Sequence, residues 1–261
     1  LNRRAGRPRD ARCVVSMLLC APGIWLMQPA SAVADALDQI RQRGTLIWGA
    51  DQEGGGPFLY PDPDQDGRVI GFENELPDLI AAHLGVTAQL FQGDWDTLPQ
   101  FLKGGRIDII LNGYEWTPQR AAQMLPSRPY YIYELQLLAR EDDGRIRSWD
   151  DLTAPATGHR SVVGVLEGSA AAAYMRRHHP AIGLRTYDGN TNAMAQVRSG
   201  IDTATLQDGP IAVFYRDRPQ GRGLRFVGDP VGAGHYVVYA RAGERRLIEQ
   251  VNPAVDQALL S

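Results

Sequence analysis

The residues best suited to hold a charged ligand lie in one short segment, residues 112–120, which reads NGYEWTPQR. A buried strand is predicted just before it, at 107–111, and a helix is predicted to start within it, with Thr117 as N-cap and Pro118 as first helical residue. Arg120 then lies in the first turn, where free N–H groups and the helix dipole attract anions. A guanidinium also binds two oxygens together. The segment predicts an anion site; the alternative is a capped helix whose arginine pairs with a surface acid.

The elements that must position this segment follow from the hydrophobic pattern. Short apolar runs alternate with amphipathic helices, which is typical of a mainly parallel sheet covered on both faces. The first series has predicted strands at 46–50, 86–91 and 107–111 and helices near 76–84 and 95–102. The second has strands at 162–166, 184–187, 203–206 and 224–227 and helices at 169–179, 193–198 and 211–216. Segments 130–140 and 235–241 are predicted to cross between the two series, before a final helix at 244–260.

A longer stretch around the anion segment, DIILNGYEWTPQRAAQMLPSRPYY, contains a strand, a Gly-x-x-x-Thr-Pro-x-Arg turn and a Ser-x-Pro-Tyr element in that order. With GTLIWGAD upstream, the chain resembles the bacterial extracellular solute-binding proteins, family 3, from about Gly44 to about Ala240. The resemblance implies an α/β, two-lobed periplasmic-binding-protein-like fold of type II, in which two αβ sandwich lobes are joined by a two-strand hinge. Lobe 1 is predicted at 33–139 with 232–261, and lobe 2 at 140–231.

The resemblance also implies roles for residues of the first lobe. Arg120 corresponds to the arginine that binds the α-carboxylate of an amino acid, and Gly113 to the glycine that offers its backbone. Glu115 departs from the pattern, because a serine or threonine hydroxyl is expected at its position. We expect Glu115 to neutralise Arg120 or to point toward a cationic part of the ligand. The third alternative is a side chain turned to solvent.

On the second lobe, the resemblance assigns the turn Gly168-Ser169 to carboxylate recognition through backbone N–H and hydroxyl groups. A helix N-terminus at this turn would add positive potential to the cleft. Asp208 follows a predicted apolar strand, at the position of the aspartate that binds the ligand's ammonium, and a carboxylate suits a desolvated ammonium. The alternative for both Ser169 and Asp208 is an ordinary helix cap.

The walls of the predicted cleft are less well defined by the sequence. Phe58, Trp95 or Tyr114 could supply an apolar wall, although each could equally belong to the core. Asp51 and Glu53 add acidic character near Glu115, which indicates a polar or cationic amino acid.

The N-terminal residues predict export. Five arginines and one aspartate precede an apolar stretch at 13–27. Ala30-Ser31-Ala32 then provides small residues for cleavage, so residues 1–32 are interpreted as a signal peptide. Both cysteines lie in that segment, and the remaining chain is more acidic than the whole, whose net charge is −3. This balance argues against nucleic acid as a partner. The spacing of the five histidines predicts no metal site, and no cofactor is expected.

The sequence leaves two functions open. The first is a monomeric periplasmic protein that captures an amino acid-like ligand and delivers it to the permease of an ABC importer, without chemistry of its own. The alternative is an enzyme resembling cyclohexadienyl (prephenate) dehydratase on the same fold. Glu115 supports that alternative, because an acid beside an anion-binding arginine could protonate a leaving hydroxyl.

Overall fold

The computed structural model of the protein describes residues 35–52, 56–153 and 160–259. The predicted signal peptide at residues 1–32 lies outside these ranges. None of the helices within them is long and apolar enough to cross a lipid bilayer.

The first half of the fold is a parallel arrangement of short strands flanked by helices. Strand β1 (Thr45–Ala50) pairs in parallel with β4 (Thr87–Gln92) on one side and with β5 (Ile109–Ile110) on the other. In chain order the elements are α1 (Ala36–Arg43), β1 (Thr45–Ala50), β2 (Tyr60–Pro61), β3 (Val69–Ile70), α2 (Phe72–Leu84), β4 (Thr87–Gln92), a 3₁₀ turn (Trp95–Thr97), α3 (Leu98–Lys103), β5 (Ile109–Ile110) and α4 (Pro118–Ala121).

The second half repeats this design. Strand β7 (Val162–Leu166) pairs in parallel with β8 (Gly183–Tyr187) and β9 (Ala204–Asp208). Its elements follow the first long strand, β6 (Met124–Arg140), and are α5 (Asp150–Thr153), β7 (Val162–Leu166), α6 (Ala170–His178), β8 (Gly183–Tyr187), α7 (Asn190–Arg198), β9 (Ala204–Asp208) and α8 (Gly209–Arg216). A second long strand, β10 (Leu224–Arg241), and a last helix, α9 (Arg245–Ala258), complete the described chain.

Strands β6 and β10 join the two halves. They are antiparallel and occupy the centre of the sheet order β4-β1-β5-β10-β6-β9-β7-β8. At one end Ala240 of β10 pairs with Ile109 in the first half, and at the other end Leu137 of β6 pairs with Leu206 in the second. The pairing between the two strands shifts register several times between these ends. The predicted two-lobed fold with a two-strand hinge is therefore confirmed.

Two predicted strands proved to be the ends of one. The segments predicted at 224–227 and 235–241 both belong to β10. Gly228 and Gly232 adopt positive φ angles of 63° and 62° between them, which interrupts the ladder without ending the strand. The segment 228–234 between the two apolar runs is therefore part of the strand and not a break in it.

The helix predicted to open at Pro118 is much shorter than the anion-site interpretation requires. Helix α4 has four residues and ends at Ala121, since β6 begins at Met124. Thr117 is its N-cap as predicted, and the Thr117 Oγ1 atom accepts the backbone N–H of Arg120 at 3.1 Å. One turn aligns too few peptide dipoles for an appreciable macrodipole. The anion site predicted at Arg120 stays a prediction, and it would depend on the guanidinium more than on the dipole of this short helix.

Helix α9 closes the first lobe by packing an apolar face against α2 and β6. Leu247, Val251 and Val255 recur every fourth residue and are fully buried, so they cover one stripe of the helix. Burial of each such side chain contributes about 1.5–3 kcal/mol. This helix confirms the prediction at 244–260, whereas α1, which packs beside it, was not predicted.

Candidate ligand-binding site

A small cavity lies between the two lobes, with walls from both. Its volume is ≈ 30 Å³, which is room for a few water molecules. The lining residues are Phe58, Trp95, Asn112, Gly113, Glu115, Leu166, Ser169, Ala171, Asn190, Leu206, Gln207, Asp208, Ile211 and Tyr236.

The first corner of the cavity is an ion pair between Glu115 and Arg120. Arg120 Nη1 donates to Glu115 Oε2 at 2.6 Å and to the Glu115 backbone carbonyl at 2.8 Å. Both side chains are largely buried, with 13% of Arg120 and 2% of Glu115 exposed. Burial alone would lower the pKa of the guanidinium, but the neighbouring carboxylate more than offsets this, so the pKa of Arg120 is raised. The pair is a charge-neutral unit.

Aromatic rings hold the Arg120 guanidinium in place. Its central carbon lies 4.3 Å from the centroid of the Tyr114 ring and 4.9 Å from that of Trp95. The Trp95 indole N–H donates to the Asn112 carbonyl at 2.9 Å, and the Tyr114 hydroxyl donates to the Trp95 carbonyl at 3.2 Å. These bonds fix the rings, and the rings fix the direction of the guanidinium.

The same ion pair contacts the second lobe directly. Arg120 Nη2 donates to the carbonyl of Gly168 at 2.9 Å, and Glu115 Oε1 accepts the backbone N–H of Ala170 at 2.8 Å. Ala170 is the first residue of α6, and Ser169 is its N-cap, accepting the N–H of Ala172 at 3.2 Å. Helix α6, rather than α4, therefore supplies the helix N-terminus at this site.

The second corner of the cavity is the carboxylate of Asp208. It accepts a short hydrogen bond from the hydroxyl of Tyr236, and the residue is 8% exposed. Burial and, to a smaller extent, the negative charge of Glu115 raise the pKa of Asp208 to about 8, against opposing effects from the Tyr236 hydrogen bond and from Arg120. Asp208 precedes α8 at the N-cap position but makes no side-chain capping bond. The cap alternative for Asp208 is not supported.

A third carboxylate, Glu73, lies behind Gly113. Its Oε1 atom accepts the Gly113 N–H at 2.6 Å and the Tyr130 hydroxyl at 2.5 Å, while its Oε2 atom is buried without a hydrogen-bond partner. Burial raises the pKa of Glu73 to about 7, although the bonds from Tyr130 and Gly113 oppose this. Gly113 turns toward Glu73 with a positive φ of 57°. Its N–H group is thus directed at Glu73.

The predicted residues are placed as follows. Those that line the cavity are Phe58, Trp95, Gly113, Glu115, Ser169 and Asp208. Arg120 and Gly168 contact each other at its edge. Asp51 is not in the lining: its Oδ1 atom accepts from Gln92 at 3.1 Å, and its backbone N–H donates to Asn112. The prediction that Asp51 adds charge to the cleft is therefore not supported, and Glu53 lies outside the described residues.

Sequence reasoning missed several residues of the site. Tyr236, which binds Asp208 and stacks on Tyr133 with ring centroids 4.7 Å apart, was included only in a predicted strand. Glu73, which accepts the Gly113 N–H, was not predicted as part of the site. The residues next to a buried tyrosine in a strand do not indicate that its hydroxyl reaches a binding site. Among the described residues, no cluster of His, Cys, Asp and Glu is suited to a metal ion.

The sequence from residue 46 to residue 260 matches the family described as bacterial extracellular solute-binding proteins, family 3. The chain belongs to this family. Two relatives in the solute-binding family are named for the amino acid that they bind. L-cystine-binding protein TcyJ of Escherichia coli is 30% identical over 220 residues, which are 84% of this chain and 79% of the relative. Putative ABC transporter arginine-binding protein 2 of the same organism is 25% identical over 200 residues, or 74% and 78% of the two chains.

Solved structures of solute-binding proteins share this fold. An ancestral amino acid-binding protein, described as a precursor of cyclohexadienyl dehydratase, has a TM-score of 0.75 and 28% identity over 85% of this chain and 92% of its own. The holo form of ArgBP from T. maritima has a TM-score of 0.75 and 25% identity, covering 84% and 92%. These similarities confirm the type II periplasmic-binding-protein fold.

Proposed function

We propose that this protein captures a small, amino acid-like solute in the cavity between its lobes and delivers it to the permease of an ABC importer. The family supports the transport role, and relatives named for arginine and cystine support the solute class. The exported, monomeric form in the periplasm, with residues 1–32 as its signal peptide, is part of the same proposal.

The observation that carries the proposal is the environment of Asp208. This carboxylate lines the cavity, and burial separates it from water. A buried carboxylate is stable as an anion only when a cation or several hydrogen bonds compensate for the lost hydration. The hydroxyl of Tyr236 supplies one such bond. We assign the ligand's ammonium to Asp208, because an ammonium would provide both the missing charge and further donors.

The other site residues have supporting roles in this proposal. Phe58 and Trp95 form apolar walls for the ligand, and Gly113 and Ser169 shape opposite sides of the cavity. The contact between Arg120 and Gly168 links the lobes around the ligand.

The lobes move as units in this proposal. We assign lobe 1 to residues 33–139 and 232–261 and lobe 2 to residues 140–231, so that the middle parts of β6 and β10 form the hinge. The register shifts between these strands leave fewer ladder bonds to resist bending there. Opening would separate Glu115 and Arg120 from α6 and admit the solute.

We assign no catalytic activity to the site. The dehydratase alternative requires Glu115 to donate a proton, but both of its carboxylate oxygens accept hydrogen bonds from Arg120 and Ala170. The curated relatives are named as binding proteins.

The proposal is tested by thermal unfolding of the purified chain with a panel of free amino acids and small amines. A ligand at about 100 times its Kd stabilises the folded state by about 2.7 kcal/mol and raises the Tm. We expect at least one compound to do so, and we expect Asp208→Asn to abolish the rise. The exposed Asp78 on α2 provides the matched control, because Asp78→Asn removes a carboxylate that is not part of the lining. An undiminished rise with Asp208→Asn would contradict the assignment.

A further inference from the structure

The corner of the cavity where a ligand carboxylate is expected already holds the carboxylate of Glu115. Glu115 Oε2 accepts from Arg120 at 2.6 Å, and Oε1 accepts from the N–H of Ala170 at 2.8 Å. A guanidinium and a helix N-terminus are the groups that bind free carboxylates. Glu115 thus occupies, as part of the chain, the place that a ligand carboxylate would take.

Glu115 is held in this position by its backbone as well as its side chain. Its carbonyl accepts from Arg120 at 2.8 Å and from the Tyr239 hydroxyl at 3.3 Å. Its backbone also forms a β-bridge with Tyr236. The direction of the carboxylate is therefore a consequence of the fold around it, since main chain and side chain are both fixed.

A free amino acid would have to displace this internal carboxylate. A group attached to the same chain competes at an effective concentration on the order of millimolar or higher. The exchange gains no hydrogen bond at this corner, because both carboxylates would use the donors of Arg120 and Ala170. It also removes Glu115 from its partners. An amine that lacks a carboxylate avoids this competition altogether.

The charges at the cavity favour a cation. Of the described residues that line it, Glu115 and Asp208 are acidic and none is basic. Arg120 is outside that lining, since its guanidinium faces Glu115 and neutralises it. Asp208 accepts a hydrogen bond from the Tyr236 hydroxyl and, among the described residues, forms no ion pair, so it can give up its proton to pair with a cationic ligand. A ligand carboxylate would find no cation of its own here.

The walls beside Asp208 are suited to the same kind of ligand. Phe58, Trp95 and Tyr236 all line the cavity, and the rings of Phe58 and Tyr236 meet edge to face with centroids 5.1 Å apart. Aromatic faces attract ammonium groups. We propose, building on the function proposed above, that the ligand is a small organic amine without a carboxylate, whose ammonium group binds Asp208.

The test compares amino acids with the amines that differ from them by the carboxylate alone. Serine is paired with ethanolamine, ornithine with putrescine, and arginine with agmatine, and the Kd of each is measured by isothermal titration calorimetry. We expect the amine of at least one pair to bind at least about tenfold more tightly than its parent. Equal or tighter binding of the parent amino acid throughout would overturn this proposal and leave the proposed function intact.

Substitution of Glu115 tests the cause of the preference. Glu115→Thr restores the expected hydroxyl and frees Arg120, so we expect it to reverse the preference toward the parent amino acid. Glu115→Gln keeps the size of the side chain without its charge and should give an intermediate preference. Glu75 is exposed on α2, and Glu75→Thr serves as the matched control that keeps the wild-type preference.

The remaining outcomes are also decisive. If Glu115→Thr binds an amino acid and the wild type binds no amine, then Glu115 only blocks the carboxylate site, and the amine proposal is overturned. No binding of either class by wild type or variant would refute the proposed function as well. Circular dichroism and urea unfolding of each variant confirm that a loss of binding is not a loss of folding.

Discussion

The two carboxylates of the cavity, Glu115 and Asp208, differ in their partners far more than in their burial. Glu115 has a guanidinium and a helix N–H group, one for each oxygen. Asp208 has a neutral tyrosine hydroxyl, from Tyr236. Two acidic side chains in one cavity therefore have opposite uses. Glu115 occupies the anion-binding corner of the cavity itself, whereas Asp208 can pair with a cationic ligand.

The largest expected effect comes from breaking the Glu115 corner. Arg120→Met leaves Glu115 buried without its counter-charge, so we expect the free energy of unfolding to fall by about 3–5 kcal/mol. The measurement is urea denaturation at neutral pH. Arg128 provides the control, because its pair with Asp256 is 54% and 46% exposed and Arg128→Met should change stability by about 1 kcal/mol or less. Equal losses of unfolding free energy in both variants would mean that the buried pair of Glu115 and Arg120 stabilises the fold no more than an exposed pair does.

The Asp208 corner should make ligand binding depend on pH. Burial raises the pKa of Asp208 to about 8, so this group is largely protonated at neutral pH and must release its proton to bind an ammonium. We expect the affinity of whichever amine binds to rise by up to about tenfold per pH unit below that pKa, and to level off above it. Calorimetry in buffers of different ionisation enthalpy should detect nearly one proton released per ligand. Binding without proton release would place the ammonium elsewhere.

Buried carboxylates without a cation should also affect the pH dependence of folding. Burial raises the pKa of Glu73 to about 7, whereas the unfolded chain releases this proton near the ordinary value of 4.5. Glu73 therefore contributes stability that is fully present below the unfolded pKa and is lost as the pH rises through about 7. The slope is at most about 1.4 kcal/mol per pH unit.

Glu73→Gln should flatten this slope, as followed by urea denaturation from about pH 5 to about pH 8. Glu75→Gln, two positions away on the exposed face of α2, should leave it unchanged. An unchanged slope in Glu73→Gln would show that Glu73 does not hold its proton in the folded state.

The smallest effect is expected at the helix that supports Glu115 from the second lobe. Ser169→Ala removes the hydroxyl that caps α6, so stability should fall by about 1 kcal/mol and the N–H of Ala170 should be less well fixed. Ser169→Thr keeps a capping hydroxyl and should recover most of the loss. Thermal unfolding compares the three proteins, and an equal loss in both variants would indicate steric effects instead of capping.

Local patterns in the chain were sufficient for most of the architecture. The periodicity of α2 and α9, the apolar run of β7 and the strand before Asp208 predicted elements close to those observed, because each depends on neighbours within a few turns. The segment from Gly113 to Arg120, with its capping Thr117, was sufficient to indicate the family and hence the two lobes. These features are encoded by residues that are close in sequence.

The character of the binding site was decided by contacts between distant residues. Glu115 and Ala170 are 55 positions apart, and Asp208 and Tyr236 are 28 apart. Whether Glu115 faces Arg120, the ligand or solvent depends on where α6 begins in space, which no local pattern records. The length of α4 was likewise set by the start of β6. Charge at a buried site depends on every neighbour in three dimensions, and only the assembled lobes bring those neighbours together.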